Sequence, residues 1–350
     1  MRTIQLLAVL VGVLSIASGA SAQCYVAYIH GKGDDLSPGV VDDVARLNYW
    51  RRDANDTFAN FVNYSNGGCT TLVTGYNGNS WYYGSDAAGR VATQINNFIT
   101  QYNIQPGQLR IVGHSMGGLV ARFILNNSWP GAAYYNYQGS DYARIRTATR
   151  YFITVASPHL GSPAADAVYG TSDSLCGNFV GTLAGWLGQR TNATDSLRRI
   201  NLEYGSVPSG GWLSDSFRST RMYTYATRRW DASTNETNDS LLSGAWDCLG
   251  YVGHWYTFHG DTAGDGLVTM QSGRAQYERS GSATGSFGSM SWSSGTWVVG
   301  ARTSWVEASF DHHQVRHDLQ TGSIDNRMTG ANSSNYPGSY IGQNGMQLAQ

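Results

Sequence analysis

Residues 109–125 read LRIVGHSMGGLVARFIL, and their order of apolar run, glycine-rich turn and second apolar run decides the fold. Residues 109–112 (LRIV) form a short strand, and residues 117–125 (GGLVARFIL) form an amphipathic helix. Between them lies Gly113-His114-Ser115-Met116-Gly117. A G-x-S-x-G pentapeptide is weak evidence alone in a chain with 43 glycines. Set directly between strand and helix, it is the sharp turn that lifts a serine hydroxyl above the end of a parallel sheet. So tight a turn excludes neighbouring side chains, a demand that Gly113 and Gly117 meet, while Gly118 lets helix and sheet approach. Ser115 then stands at a helix N-terminus, where the dipole favours a developing oxyanion.

Strands and helices alternate on both sides of this turn, as in a mostly parallel sheet covered on both faces. Residues 24–29 (CYVAYI) predict a strand ending in His30-Gly31-Lys32-Gly33, residues 40–62 a helix, and residues 69–74 (CTTLVT) another strand. Val91, Ile95, Phe98 and Tyr102 recur at helical spacing and predict an amphipathic helix over 87–102, ended by Gln105-Pro106-Gly107. Further strands are expected at 151–155, 222–226, 297–301 and 304–308. Residues 162–219 and 228–262 break the alternation. They are rich in Gly and Ser and dense in aromatics, among them Trp186, Trp212, Trp230, Trp246 and Trp255. Insertions of this size act as lids or binding loops. Residues 281–295 read as a Gly/Ser-rich loop, and the tail from 321 to 350 as weakly structured. The expected fold class is therefore α/β, an α/β-hydrolase domain over 23–320 with lid or cap insertions.

Residues 1–22 have the form of a secretory signal peptide. Arg2 starts it, residues 6–14 are apolar, and Ala20-Ser21-Ala22 precedes Gln23 as a cleavage site. The apolar run is half of the roughly 18 residues that span a bilayer, so a secreted chain, extracellular or periplasmic and without a membrane span, is expected. A net charge of -1 offers no field for nucleic acid or an anionic membrane. Cys24, Cys69, Cys176 and Cys248 make an even count, which in an exported chain favours two disulfides. No C-x-x-C or H-x-x-x-H pair accompanies them, so no tetrahedral zinc site is expected. Asn55, Asn126, Asn192 and Asn332 head sequons that matter only in a glycosylating host. No cofactor is expected, and the chain should be a monomer.

A serine hydroxyl needs a base to take its proton and a carboxylate to orient that base. In α/β-hydrolases these follow in the order Ser, acid, His, so both are sought downstream of Ser115. Ile29-His30-Gly31, the elbow with its Val120-Ala121-Arg122 extension, and Val155-Ala156-Ser157-Pro158-His159-Leu160-Gly161-Ser162 resemble the bacterial true-lipase family, the Pseudomonas-type triacylglycerol lipases. Gly264-Asp265-Gly266-Leu267-Val268 is similar to that family's acid motif, in which an Asn usually precedes the Asp. The resemblance covers roughly 24–160 and 260–318 and leaves out the two insertions.

It implies Asp265 as the acid, with Asp261 as competitor. For the base it favours the first histidine of Asp311-His312-His313-Gln314-Val315-Arg316-His317, directly after the last predicted strand. His312 is thus the expected base and His313 the alternative; His317 reads as a helix-face residue, His259 as a lining residue and His114 as packing beside the elbow. The oxyanion hole combines the Met116 amide with, by resemblance, the Lys32 amide. The family often binds calcium through an Asp two residues after the base, where this chain has Gln314 or Val315, so no metal is expected. Asp231, Asp239 and Asp261 form no strong calcium motif. In this fold the strands beginning at Cys24 and Cys69 are parallel neighbours, which implies a Cys24–Cys69 bridge and leaves Cys176–Cys248.

The implied activity is hydrolysis of a carboxylic ester or lipid through an acyl-enzyme. An acyltransferase, or a polyester or amide hydrolase, would use the same triad. A non-catalytic binding module on this scaffold is the alternative of another class, though a binder has no need of a complete Ser, Asp and His set.

Overall fold

In the computed structural model the described residues are 25–33, 35–50, 70–127, 135–162, 164–165, 190–198, 221–227, 230–231, 263–265, 267–269, 272–273, 285–287, 290–292, 303–307 and 312. The strands are Tyr25–Ile29 (β1), Thr70–Val73 (β2), Leu109–His114 (β3), Thr149–Val155 (β4), Met222–Thr227 (β5), Trp230–Asp231 (β6), Ala263–Gly264 (β7), Gly285–Phe287 (β8), Met290–Trp292 (β9) and Thr303–Glu307 (β10). The helices are Asp43–Asn48 (α1), Arg90–Gln101 (α2), Met116–Asn126 (α3), Tyr135–Ala148 (α4) and Asn192–Ser196 (α5).

Six strands form one sheet in the order β10-β5-β4-β3-β1-β2, and every neighbouring pair is parallel. The expected α/β-hydrolase class is thus observed. Every side chain of β1 is buried. Tyr25, Ala27 and Ile29 enter one apolar cluster, and Val26 and Tyr28 the other. β3 divides in the same way, Leu109 and Ile111 against Val112. This is the period-two pattern of a strand covered on both faces.

The chain leaves β1 to form β2 on one side, then crosses back to place β3 on the other. In open parallel sheets the crevice at such a reversal, beyond the carboxyl ends of the strands, is where ligands bind. Here it opens after Ile29 and His114.

α3 is buried at every position. α2 is amphipathic, with Val91, Ile95 and Phe98 in the core. It begins at Arg90, after a wider single turn over Ser85–Gly89, rather than at 87. Tyr102 is 39% exposed instead of lying in the apolar stripe. It caps the helix with its ring edging Phe98 and Tyr25. Of the helix expected over 40–62, α1 is the described part, N-capped by the Asp42 side chain on the Ala45 amide.

Four elements, α4, β8, β9 and α5, depart from the sequence expectations. α4 has little amphipathic pattern but buries Tyr142, Ile145 and Ala148. β8 and β9 pair within the stretch read as a loop. Their hairpin signal, the Gly288-Ser289 pair between them, was hidden by the surrounding glycine and serine. α5 lies inside the first insertion and anchors it: Ala193 and Leu197 join the main core, and the Ala193 amide donates to the Asn79 carbonyl at 3.0 Å. The ends of the second insertion meet as the antiparallel pair β6 and β7. The signal segment, all four cysteines, Asp261, His259, His313, His317, the strand expected at 297–301 and the tail from 321 lie outside the described residues. Among the described residues no helix is long and apolar enough to cross a membrane.

Candidate active site

Ser115 joins β3 to α3 with φ 52° and ψ −129°, a left-handed backbone that costs a non-glycine residue about 1–3 kcal/mol. The surroundings hold it there. Its amide donates to the Val155 carbonyl at 2.9 Å, and its carbonyl accepts from the Gly118 amide at 3.1 Å. The glycines make the turn possible. A Cβ at Gly117 would stand 2.2 Å from the Ile29 carbonyl oxygen, and one at Gly118 would stand 2.1 Å from Ser157 Oγ.

Asp265 follows β7 and is 1% exposed, a burial that a carboxylate tolerates only with its oxygens satisfied. Oδ1 accepts from the Leu267 and Val268 amides at 3.0 and 2.8 Å. Oδ2 accepts from His312 Nδ1 at 2.9 Å. An ionised carboxylate can only accept, so the His312 proton sits on Nδ1 and the Nε2 lone pair faces outward. That lone pair is 2.8 Å from Ser115 Oγ, which donates to it. Ser115, His312 and Asp265 therefore form one continuous, buried hydrogen-bond chain.

The loop after β1 is locked by His30. Its Nδ1 donates to the Gly31 carbonyl at 2.8 Å, its Nε2 accepts from the Tyr76 amide at 3.2 Å, and the two rings stack at 4.0 Å. Gly31 admits no side chain, since a Cβ would stand 2.7 Å from both Ser115 Cβ and Tyr49 Oη. Neither the Lys32 nor the Met116 amide takes a hydrogen bond among the described residues. The Lys32 ammonium is half-buried, and its desolvation lowers the pKa to about 8.

The segment after β4 is stitched to the acid loop. Ser272 Oγ accepts from the Leu160 amide at 3.0 Å and donates to the Gly161 carbonyl at 2.7 Å. Beneath it, Arg122 donates to the His159 carbonyl at 2.8 Å, and His159 Nε2 meets Thr154 Oγ1 at 2.9 Å. Burial first, and the Arg122 charge second, hold the His159 pKa well below its ordinary value. This ring is neutral.

Ser115, Asp265, His312, Met116 and Lys32 thus gather at the ends of β1 and β3. His114 packs beside the elbow, and it also hydrogen-bonds the main chain of His312 at 2.9 Å. Tyr49 and Ser272 drew no attention in the sequence. Tyr49 ends a short helix and Ser272 sits in a loop, and neither position carries a spacing signal. Among the described residues no cluster of His, Cys, Asp or Glu is arranged to hold a metal ion.

Residues 52–172 match the family described as "Putative serine esterase (DUF676)", a match that spans less than half of the 350 residues and includes Ser115. No curated protein matches the chain. Among solved structures, the lipase BlEst2 of Bacillus licheniformis in its mature form is similar at 16% identity and TM-score 0.51, over 87% of this chain and 91% of that one. Lipase 1 from Pelosinus fermentans is similar at 16% identity and TM-score 0.52, over 93% and 97%. At such identities the likeness shows the fold, that of the α/β-hydrolases.

Proposed function

We propose that this protein is a secreted serine hydrolase of carboxylic esters, with Ser115 as nucleophile, His312 as general base and Asp265 as the orienting acid. The observation that carries this reading is the unbroken chain from Ser115 Oγ through His312 to Asp265, with links of 2.8 and 2.9 Å. The match to a family described as serine esterases, and the motif resemblance to Pseudomonas-type lipases, support the ester class. Export rests on the signal-peptide pattern of residues 1–22.

His312 Nε2 takes the Ser115 proton as Oγ attacks the ester carbonyl. The Met116 and Lys32 amides receive the oxyanion, where each donor contributes about 3 kcal/mol to the transition state. Asp265 stays ionised and stabilises the imidazolium. His312 then passes its proton to the departing alcohol, leaving an acyl group on Ser115. Water, activated by the same ring, releases the acid. The aromatic-rich composition of residues 162–219 and 228–262 supports an apolar acyl site under a lid.

Labelling with a fluorophosphonate probe, together with hydrolysis of p-nitrophenyl esters from acetate to palmitate, tests the proposal. Labelling and turnover are expected in the wild type and absent in Ser115→Ala. A wild type that neither labels nor turns over would refute the hydrolase and favour a binding module.

A further inference from the structure

We propose that Tyr49 and His114 are positioning residues that couple the oxyanion loop, the nucleophile and the base through one directed hydrogen-bond relay; this rests on the ester-hydrolase reading above. His114 Nε2 lies 2.9 Å from the main-chain carbonyl oxygen of His312. A carbonyl can only accept, so Nε2 carries the proton, and in the neutral ring Nδ1 is left with a lone pair. Tyr49 Oη is 2.6 Å from Nδ1 and donates its phenolic proton there. The same oxygen accepts the Gly31 amide at 2.8 Å. The relay therefore runs one way, from Gly31 N–H through the Tyr49 hydroxyl and the His114 ring to the His312 carbonyl.

Each end lies at a reacting group. Gly31 precedes Lys32, the proposed oxyanion donor. His114 precedes Ser115. His312 is the base, and its own amide donates to the Asp265 carbonyl at 3.0 Å. The base is thus gripped by its ring, its N–H and its C=O at once, and the Tyr49 relay supplies the third grip. The vacant Cβ position of Gly31 lets the phenol this close, since a Cβ there would stand 2.7 Å from Tyr49 Oη. An error of about 1 Å in the placement of catalytic groups costs on the order of 100-fold in rate. A relay that fixes the oxyanion loop and the base against one another acts on kcat with little effect on substrate binding.

The test compares Tyr49→Phe, His114→Leu, His114→Gln and the Tyr49→Phe/His114→Leu pair, with active sites counted by fluorophosphonate titration. Tyr49→Phe and His114→Leu should each lower kcat per titrated site about 10-fold with KM within about two-fold. The double variant should be no worse than the poorer single one, because both break the same relay. His114→Gln, which keeps a donor for the His312 carbonyl, should recover most of the rate. Multiplying losses, or an unchanged kcat per titrated site in folded single variants, would overturn the proposal. If the wild type neither labels nor hydrolyses esters, the hydrolase reading fails separately. Imidazole nitrogen NMR then decides the relay. It should find His114 protonated at Nε2 and its Nδ1 resonance displaced by Tyr49→Phe, and an undisplaced Nδ1 resonance would overturn it.

Discussion

Asp265 and His312 are bound to one another twice, through their side chains at 2.9 Å and through their main chains at 3.0 Å. The two links separate chemistry from architecture, because a change to the carboxylate leaves the main-chain bond in place. Asp265→Asn keeps an oxygen for the Leu267 and Val268 amides but presents N–H groups to His312 Nδ1. The ring must then take the other tautomer, and Nε2 no longer accepts from Ser115. Turnover of a p-nitrophenyl ester is expected to fall by roughly 10³- to 10⁴-fold while the melting temperature stays within a few degrees.

The positive φ of Ser115 is a cost that glycine does not bear. Ser115→Gly and Ser115→Ala are both expected to be inactive. Ser115→Gly should nonetheless be more stable than Ser115→Ala by about 1 kcal/mol, after the extra unfolded-state entropy of glycine is set against the relieved strain. Urea midpoints at equal m-value measure the difference. Equal midpoints would mean that the turn stores no strain.

The seat of α3 against β1 can be tested with one methyl group. Gly117→Ala places its Cβ against two main-chain carbonyls, those of Ile29 and His30, which have little room to retreat. A loss of about 3 kcal/mol or more, or of folded protein altogether, is expected. Gly84→Ala is the control: its nearest neighbour would be 3.4 Å away, and the variant should fold with near wild-type stability.

His159 makes the core sensitive to acid. Its folded pKa lies well below 6.5, whereas the unfolded ring titrates near that ordinary value. Below 6.5 the unfolded chain binds a proton that the folded one refuses. The stabilising difference is therefore whole above that pH and shrinks on acidification, by up to about 1.4 kcal/mol per pH unit. His159→Gln should flatten the dependence of the urea midpoint on pH between about 6.5 and 5. An unchanged slope would place the acid sensitivity in other groups.

The cysteine pairing is a proposal that the sheet register supports. Tyr25 and Thr70 are partners across β1 and β2, and Cys24 and Cys69 are the residues immediately before them. Non-reducing peptide mapping should recover Cys24 joined to Cys69, and Cys176 to Cys248. A peptide linking Cys24 to Cys176 would overturn the assignment.

The central strands and the elbow were legible in the sequence because their signals are local. β3, Ser115 and α3 occupy consecutive residues, and glycine is demanded wherever main chains touch. The proposed acid and base, Asp265 and His312, follow from a motif and from chain order, which place them after Ser115 without fixing their distance from it. Tyr49 was not legible, since its partners Gly31 and His114 are 18 and 65 residues away and no periodicity links them. α4 was missed for a different reason. It is held by packing against α2, α3 and β4, and tertiary burial overrode a weak helical pattern. The β8–β9 hairpin was masked by composition, because glycine and serine mark loops and tight hairpins alike.

The order of the strands carries a consequence for how the protein is made. Ser115 and His312 are 197 residues apart, and His312 follows β10, which among the described residues is the last strand of the sheet in sequence and lies at its edge. A chain that has emerged only as far as β5 already holds β1 to β5 and the strained serine, yet it has no acid and no base. On the proposed triad, such a nascent chain should be inert towards esters, however well its first five strands are paired. On the proposed triad, catalytic competence waits for the stretch beyond β10 that carries His312.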